Sequence, residues 1–230
     1  MYSLKCSDLY RNLRLSLFGF KHGVLWERVD LSDADFENWY EWMHSSNNAT
    51  IPVIQEYFLK WKSEIQTVIE VGSGVGYFWP DWLISNFEPD HIFLVEPSKR
   101  ATAISKIRHL GLMSRISHFA IGIGDLDRGV TADLVFSIRS IDMSGNIDGF
   151  LKKCLRHSRK FVYVTFTNDA VQGSDHVYRW DPRGYYWSAA SITHLSDLCR
   201  KFEFWEYEIR QINNPNNPGG EIHLALWRKV

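Results

Sequence analysis

Between Thr67 and Trp82 the chain reads TVIEVGSGVGYFWPDW, and this stretch restricts the fold more than any other. Val68-Ile69-Glu70-Val71 is short, apolar and β-branched, the signature of a buried strand. Gly72, Gly74 and Gly76 follow at alternate positions. Glycine adopts backbone angles closed to other residues and lets a ligand approach the main chain. Pro80 then suits the first turn of a helix, where its missing N–H costs nothing. The unit is strand, glycine loop, helix. A second strand, His91-Ile92-Phe93-Leu94-Val95, runs into Glu96, 20 residues beyond Gly76. A carboxylate there is placed to accept hydrogen bonds from the two hydroxyls of a ribose.

From Thr67 onward strand and helix patterns alternate, which predicts a parallel sheet covered on both faces. Helices are expected over residues 98–110, 146–157 and 188–201, the first carrying Ala101, Ile104, Ile107 and Leu110 at steps of three. Strands are expected over residues 116–123, 132–138 and 161–166. Two last strands, 202–212 and 221–227, are joined by Asn213-Asn214-Pro215-Asn216-Asn217-Pro218-Gly219-Gly220, which reads as turn or loop. Residues 1–66 read as helical. Leu9, Leu13 and Leu17 recur at helical spacing, Ser32 or Asp33 suits an N-cap before Phe36, Trp39, Tyr40 and Met43, and a third helix spans residues 51–61. Trp26, Trp39, Trp42 and Tyr57 read as core.

Two nucleoside ligands compete for the glycine unit. A dinucleotide site wants G-x-G-x-x-G. Here the spacing is G-x-G-x-G, with Tyr77 in place of the third glycine. Glu70 would repel a pyrophosphate and suits an ammonium group. With E-V-G-S-G-V-G, an acidic residue at the next strand's end and a closing antiparallel hairpin, the chain resembles the class I S-adenosylmethionine-dependent methyltransferases. The resemblance implies an α/β Rossmann-like, mostly parallel seven-stranded sheet with a C-terminal antiparallel hairpin. It divides the chain into an N-terminal helical cap (1–66) and a catalytic domain (67–230). It implies S-adenosylmethionine as cofactor, with Glu70, Gly72, Ser73, Gly74 and Gly76 around the methionine part. Glu96, with Pro97 behind it, would hold the ribose. Asp125 and the Leu126 main chain would meet the adenine, with Asp127 a rival. Ser137 and Ile138 would line the cofactor near the transferred methyl. One departure is Arg156-His157-Ser158-Arg159-Lys160, where the family has a Gly-Gly turn.

The acceptor side is less marked. The N/D-P-P-Y/F box of enzymes that methylate exocyclic amines or glutamine amides is absent after the fourth strand, where Ser137-Ile138-Arg139-Ser140-Ile141-Asp142 stands instead. Residues 168–187 mix His, Arg, Asp and five aromatic rings, which suits a pocket for a polar small molecule. Arg139, Asp142 and His176 are the candidate acceptor residues, with His176 or an aspartate as general base. Asp142, Asn168 and Asp169 match in type the magnesium ligands of catechol-type O-methyltransferases, though in altered order. The expected acceptor is an oxygen of a small molecule, such as a sugar or natural-product intermediate. A non-catalytic binding or scaffold domain is the alternative, and a nicotinamide oxidoreductase a weaker one.

Net charge is −1, so no bulk field draws the chain to nucleic acid or membrane. The basic runs at 98–115 and 152–160 read as wet helix faces. Three cysteines, far apart, read as free thiols. With no long apolar run and no leader-like core, the cytoplasm is the default location.

Overall fold

The computed structural model describes residues 32, 34, 38, 50–141, 146–167, 177–181, 185–214 and 217–229. Its elements, in order, are α1 (Ile51–Trp61), β1 (Thr67–Val71), α2 (Trp79–Phe87), β2 (His91–Val95), α3 (Lys99–Arg108), β3 (Ile116–Phe119), β4 (Ala132–Ile138), α4 (Ile147–His157), β5 (Ser158–Thr167), β6 (Val177–Asp181), β7 (Tyr185–Ala189), α5 (Ile192–Cys199), β8 (Trp205–Asn214) and β9 (Asn217–Arg228). Seven strands make one sheet in the order β3-β2-β1-β4-β5-β9-β8. The first five run parallel, and β9 pairs antiparallel with both β5 and β8. The expected seven-stranded sheet with a closing antiparallel hairpin is therefore present. Of residues 1–49, Ala34 and Asn38 are helical and exposed. The remaining expectations for 1–49 lie outside the described residues, Ser32 apart.

Strand alternation sends every second side chain to each face. Val68, Leu94, Leu134, Phe136, Phe161 and Tyr163 meet α1 and α2 through Phe58, Trp61, Trp79 and Leu83. Rings dominate this layer. Phe58 lies edge-on to Phe136 at 5.1 Å, and Trp61 stacks on Phe161 at 4.6 Å. Tyr57 is core, as expected. On the other face Ile69, Val71, Val135, Val162 and Val164 meet Leu151 and Cys154 of α4 and Leu195 and Leu198 of α5. Cys154 and Cys199 are free and buried.

Several details differ from the sequence reading. Of the apolar positions at steps of three along α3, Ala101 is buried and Ile104 packs beside it, but the other two turn outward. Ile107 and Leu110 are 70% and 69% exposed, while Ala101, Thr102 and Ser105 are buried. Steps of three lag the 3.6-residue turn by about 60° each, so four such positions wrap half the helix. Thr102 and Ser105 go inward because their hydroxyls find partners, Thr102 with the Ser98 carbonyl at 2.8 Å and Ser105 with His109 at 3.4 Å. The tract after β5, read above only as a candidate pocket, contains β6 and β7, which form an antiparallel hairpin with Trp180 opposite Tyr186. That hairpin takes the first residues assigned to the following helix, which begins at Ile192. β3 ends at Phe119 rather than Ile123. β8 and β9 extend through the expected loop to Asn214 and from Asn217, which pair with each other.

At Arg156 to Lys160 α4 passes straight into β5. His157 hydrogen-bonds the Val130 carbonyl at 2.8 Å. Arg159 pairs with Asp133 at 3.1 Å. The Asp133 carboxylate also accepts from the Gln66 and Thr67 N–H groups at 2.9 and 3.0 Å. Burial opposes its ionisation, but these partners hold its carboxyl below the usual range. Replacing Asp133 by Ala should cost about 1–2 kcal/mol, because a strand-end donor loses its acceptor. Urea unfolding checks this, and an unchanged midpoint would show the clasp to be idle.

Candidate ligand site at the carboxyl edge of the sheet

Gly72, Gly74 and Gly76 all have positive φ, at +74°, +55° and +67°. Each is in the region that side-chain-bearing residues avoid. Gly72 donates to the Val95 carbonyl at 2.7 Å, tying the loop to the end of β2. A Cβ at Gly72 would collide with the Ser140 side chain, and one at Gly76 with Ser105 and, at 2.6 Å, with His109. The loop is thus pressed between the segment after β4 and the inner face of α3. Phe78 follows with φ 74° and ψ −62°, and the Trp79 N–H reaches back to the Tyr77 carbonyl at 3.0 Å. That is a γ-turn of the strained hand, and it launches α2.

Glu96 fastens the loop from beneath. One carboxylate oxygen accepts the Gly74 N–H and the other the Ser98 N–H, both at 2.9 Å. Ser98 is also the N-cap of α3, accepting from the Ala101 N–H. Each carboxylate oxygen has a second lone pair, so hydroxyl donors can still be accepted. Burial pushes Glu96 up to about 7, against the pull of the two N–H groups. Glu70, at the carboxyl end of β1, is raised well above the ordinary range by burial first and by Glu96 second. Its Oε2 is buried with no hydrogen-bond partner among the described residues, as are Ser73 Oγ and Ser137 Oγ.

These shifts have a sign. Folded, Glu96 keeps its proton up to about pH 7, whereas unfolded it loses it near pH ~4.3. Between those values the folded state binds more protons, so stability falls as pH rises. Glu70 adds in the same direction. The ligand-free protein should lose about 3 kcal/mol from Glu96 across this window, read as a falling Tm between pH 5 and 7.5. Glu96→Gln should flatten the slope. A Tm that climbs through the window would contradict the assignment.

The other expected residues divide. Pro97 is half-buried between Glu96 and Ser98. Asp125 is exposed, in a turn closed by its own N–H to the Gly122 carbonyl at 2.9 Å. The Leu126 side chain belongs to the core beside Ile69 and Val95, so only its main chain could face a ligand. Ser137 is buried on the α4 side of the sheet, and Ile138 packs on the α1–α2 side. Arg139 has φ 55°, strained for a non-glycine, and its N–H donates to Thr165 Oγ1 at 3.0 Å. Asp142 and His176 lie outside the described residues, and so do Asn168 and Asp169 of the magnesium trio. Ser140 and Thr165 are additions that the sequence reading lacks. Ser140 Oγ donates to the Gly72 carbonyl at 3.2 Å. A hydroxyl-bearing residue just past a strand end carries no local signal of such a contact.

Together these groups fit one kind of ligand. The unpartnered, buried Glu70 oxygen suits an ammonium group, and Glu96 suits vicinal hydroxyls. A loop of three positive-φ glycines admits close main-chain approach.

No protein-family model matches the chain, and no curated protein does. Solved structures do. The Burkholderia thailandensis 1,6-didemethyltoxoflavin-N1-methyltransferase, with bound 1,6-didemethyltoxoflavin and S-adenosylhomocysteine, superposes with a TM-score of 0.66 at 10% identity, covering 86% of this chain and 87% of that one. The DhpI–SAH complex gives 0.62 at 16% identity over 90% and 98%. The magnesium protoporphyrin IX methyltransferase of Synechocystis PCC 6803, with bound SAM, gives 0.59 at 10% identity over the full length of both chains. At such identities the likeness is one of architecture: the chain has the class I methyltransferase fold.

Proposed function

We propose that this chain is an S-adenosylmethionine-dependent methyltransferase acting on an oxygen of a small polar molecule. The observation that carries the reading is the buried, unpartnered Glu70 Oε2, set beside Glu96 under a loop of positive-φ glycines. Glu70 takes the ammonium of the cofactor, the loop with Ser73 encloses its methionine part, and Glu96 with Pro97 takes its ribose. The Asp125–Leu126 turn meets the adenine, and Ser137 and Ile138 line the end nearest the acceptor. Bound, the cofactor supplies a methyl group on a positively charged sulfur. The chain's share is placement, since an in-line displacement is accelerated chiefly by holding the two reactants together. Arg139, Asp142 and His176 are the acceptor contacts in this reading. Small-molecule acceptors are supported by relatives in fold, among them one solved with D-fucose and S-adenosylhomocysteine.

The test is transfer of a labelled methyl from S-adenosylmethionine to a panel of monosaccharides and phenols, against matched amines. Label in an ether product supports the reading. Label only in amines overturns oxygen as acceptor, and binding without any transfer favours the non-catalytic domain. His176→Gln should lower turnover and leave cofactor affinity unchanged.

A further inference from the structure

Away from the glycine loop, the same edge of the sheet holds a second set of buried polar groups. Glu221 and His223 lie on β9, with Glu221 paired to Thr167 and His223 to Thr165 of β5. They are 0% and 1% exposed. Alternation puts both on the face that carries Tyr163 and Thr165. Thr165 is the residue whose hydroxyl accepts the strained Arg139 N–H. Contacts therefore run from Gly72 through Ser140 and Arg139 to Thr165, whose register partner on the adjacent strand is His223.

The pair is half satisfied. The Tyr163 hydroxyl meets His223 Nδ1. Asn214 reaches Glu221 Oε2 at 3.5 Å. Glu221 Oε1 and His223 Nε2 stand 3.4 Å apart without hydrogen-bonding geometry, and each lacks a partner among the described residues. Burial holds the Tyr163 hydroxyl protonated. Its only described partner is Nδ1, so it donates there and leaves the proton of the imidazole on Nε2. Of the two buried, unpartnered atoms one is thus an acceptor and its neighbour a donor. An ammonium group would satisfy Glu221 alone. A hydroxyl satisfies both, donating to Oε1 and accepting from Nε2–H.

We infer that Glu221 Oε1 and His223 Nε2 bind the acceptor hydroxyl, with Glu221 taking its proton. The inference rests on the methyltransferase reading above and moves to Glu221 the base role expected of His176 or an aspartate. The acceptor oxygen forms its bond to the methyl carbon as the carbon–sulfur bond breaks. That electron pair stays on sulfur, which becomes neutral, and the hydroxyl proton passes to Glu221.

The experiment uses the full chain labelled with 15N in its histidine rings and saturated with S-adenosylhomocysteine. Catechol and D-fucose are titrated in, then their fully O-methylated ethers, 1,2-dimethoxybenzene and per-O-methylated D-fucose, then benzylamine. His223→Gln identifies the His223 signals. The hydroxyl probes should shift the Nε2 signal of His223, and the ethers should need at least about tenfold higher concentration, since they lack the donor. Glu221→Gln should abolish the response and leave S-adenosylhomocysteine affinity as in the wild type. Ethers that match the alcohols, a response to benzylamine alone, no response to any hydroxyl probe, or an unaltered Glu221→Gln response would each overturn the inference. A wild type that fails to bind S-adenosylhomocysteine removes the underlying reading and the inference with it.

Discussion

Gly72→Ala should lower stability by about 3 kcal/mol, a Tm drop of roughly 6–12 °C for a chain of this size, and abolish measurable S-adenosylhomocysteine binding. Two costs add. An alanine at φ +74° pays about 1–2 kcal/mol for its backbone. Its Cβ also collides with both side-chain atoms of Ser140. The two are separable. Adding Ser140→Gly removes the collision and leaves the backbone strain, so the double variant should regain part of the Tm. Ser140→Ala should regain little, because the Cβ it keeps is one of the colliding atoms. Calorimetric melting of the variants and the wild type checks the cycle. Additive losses, with no recovery in the double variant, would contradict the packing of the loop against the segment after β4.

The second large effect is at Glu96. Glu96→Ala leaves the Gly74 and Ser98 N–H groups without their carboxylate and removes the acceptor proposed for ribose hydroxyls. Hydrogen bonds to a charged group contribute about 1.5–3 kcal/mol each. Losing two from the ligand weakens binding by a factor of about 100 or more. Glu96→Gln should fall between, since an amide keeps one acceptor oxygen but turns its NH2 toward an N–H donor. Titration at pH 8 compares the three with the carboxylate ionised. Equal affinity in the alanine variant would remove Glu96 from the site.

The site is legible in the sequence where chemistry is local. Strand β1, the glycines and strand β2 span some 30 residues, and their order alone brings Glu70, the loop and Glu96 to one edge. β4 follows from its own apolar run, residue for residue. The face of α3 is only partly legible because, beside Ala101, its buried positions are Thr102 and Ser105, polar residues satisfied by Ser98 and His109, and hydrophobicity does not report them. The β6–β7 hairpin is obscured when the tract after β5 is read for ligand-binding character. Its aromatic runs around Pro182-Arg183-Gly184 are a strand-turn-strand signal. The Tyr163–His223 contact spans 60 residues, and no spacing rule joins them. Only the antiparallel register of β5 with β9 does so.

The measurement that bears most directly on the central claim is calorimetric titration of the wild-type chain with S-adenosylhomocysteine and, separately, with NAD. The account requires one-to-one binding of the first, absence of the second, and proton release at pH 7 as ribose hydroxyls draw Glu96, which burial holds at about 7, into its ionised form, with an ammonium group acting in the same direction on the raised Glu70. Protons are counted by repeating the titration in buffers of different ionisation enthalpy. Binding of NAD alone, or S-adenosylhomocysteine binding without proton release, would contradict it.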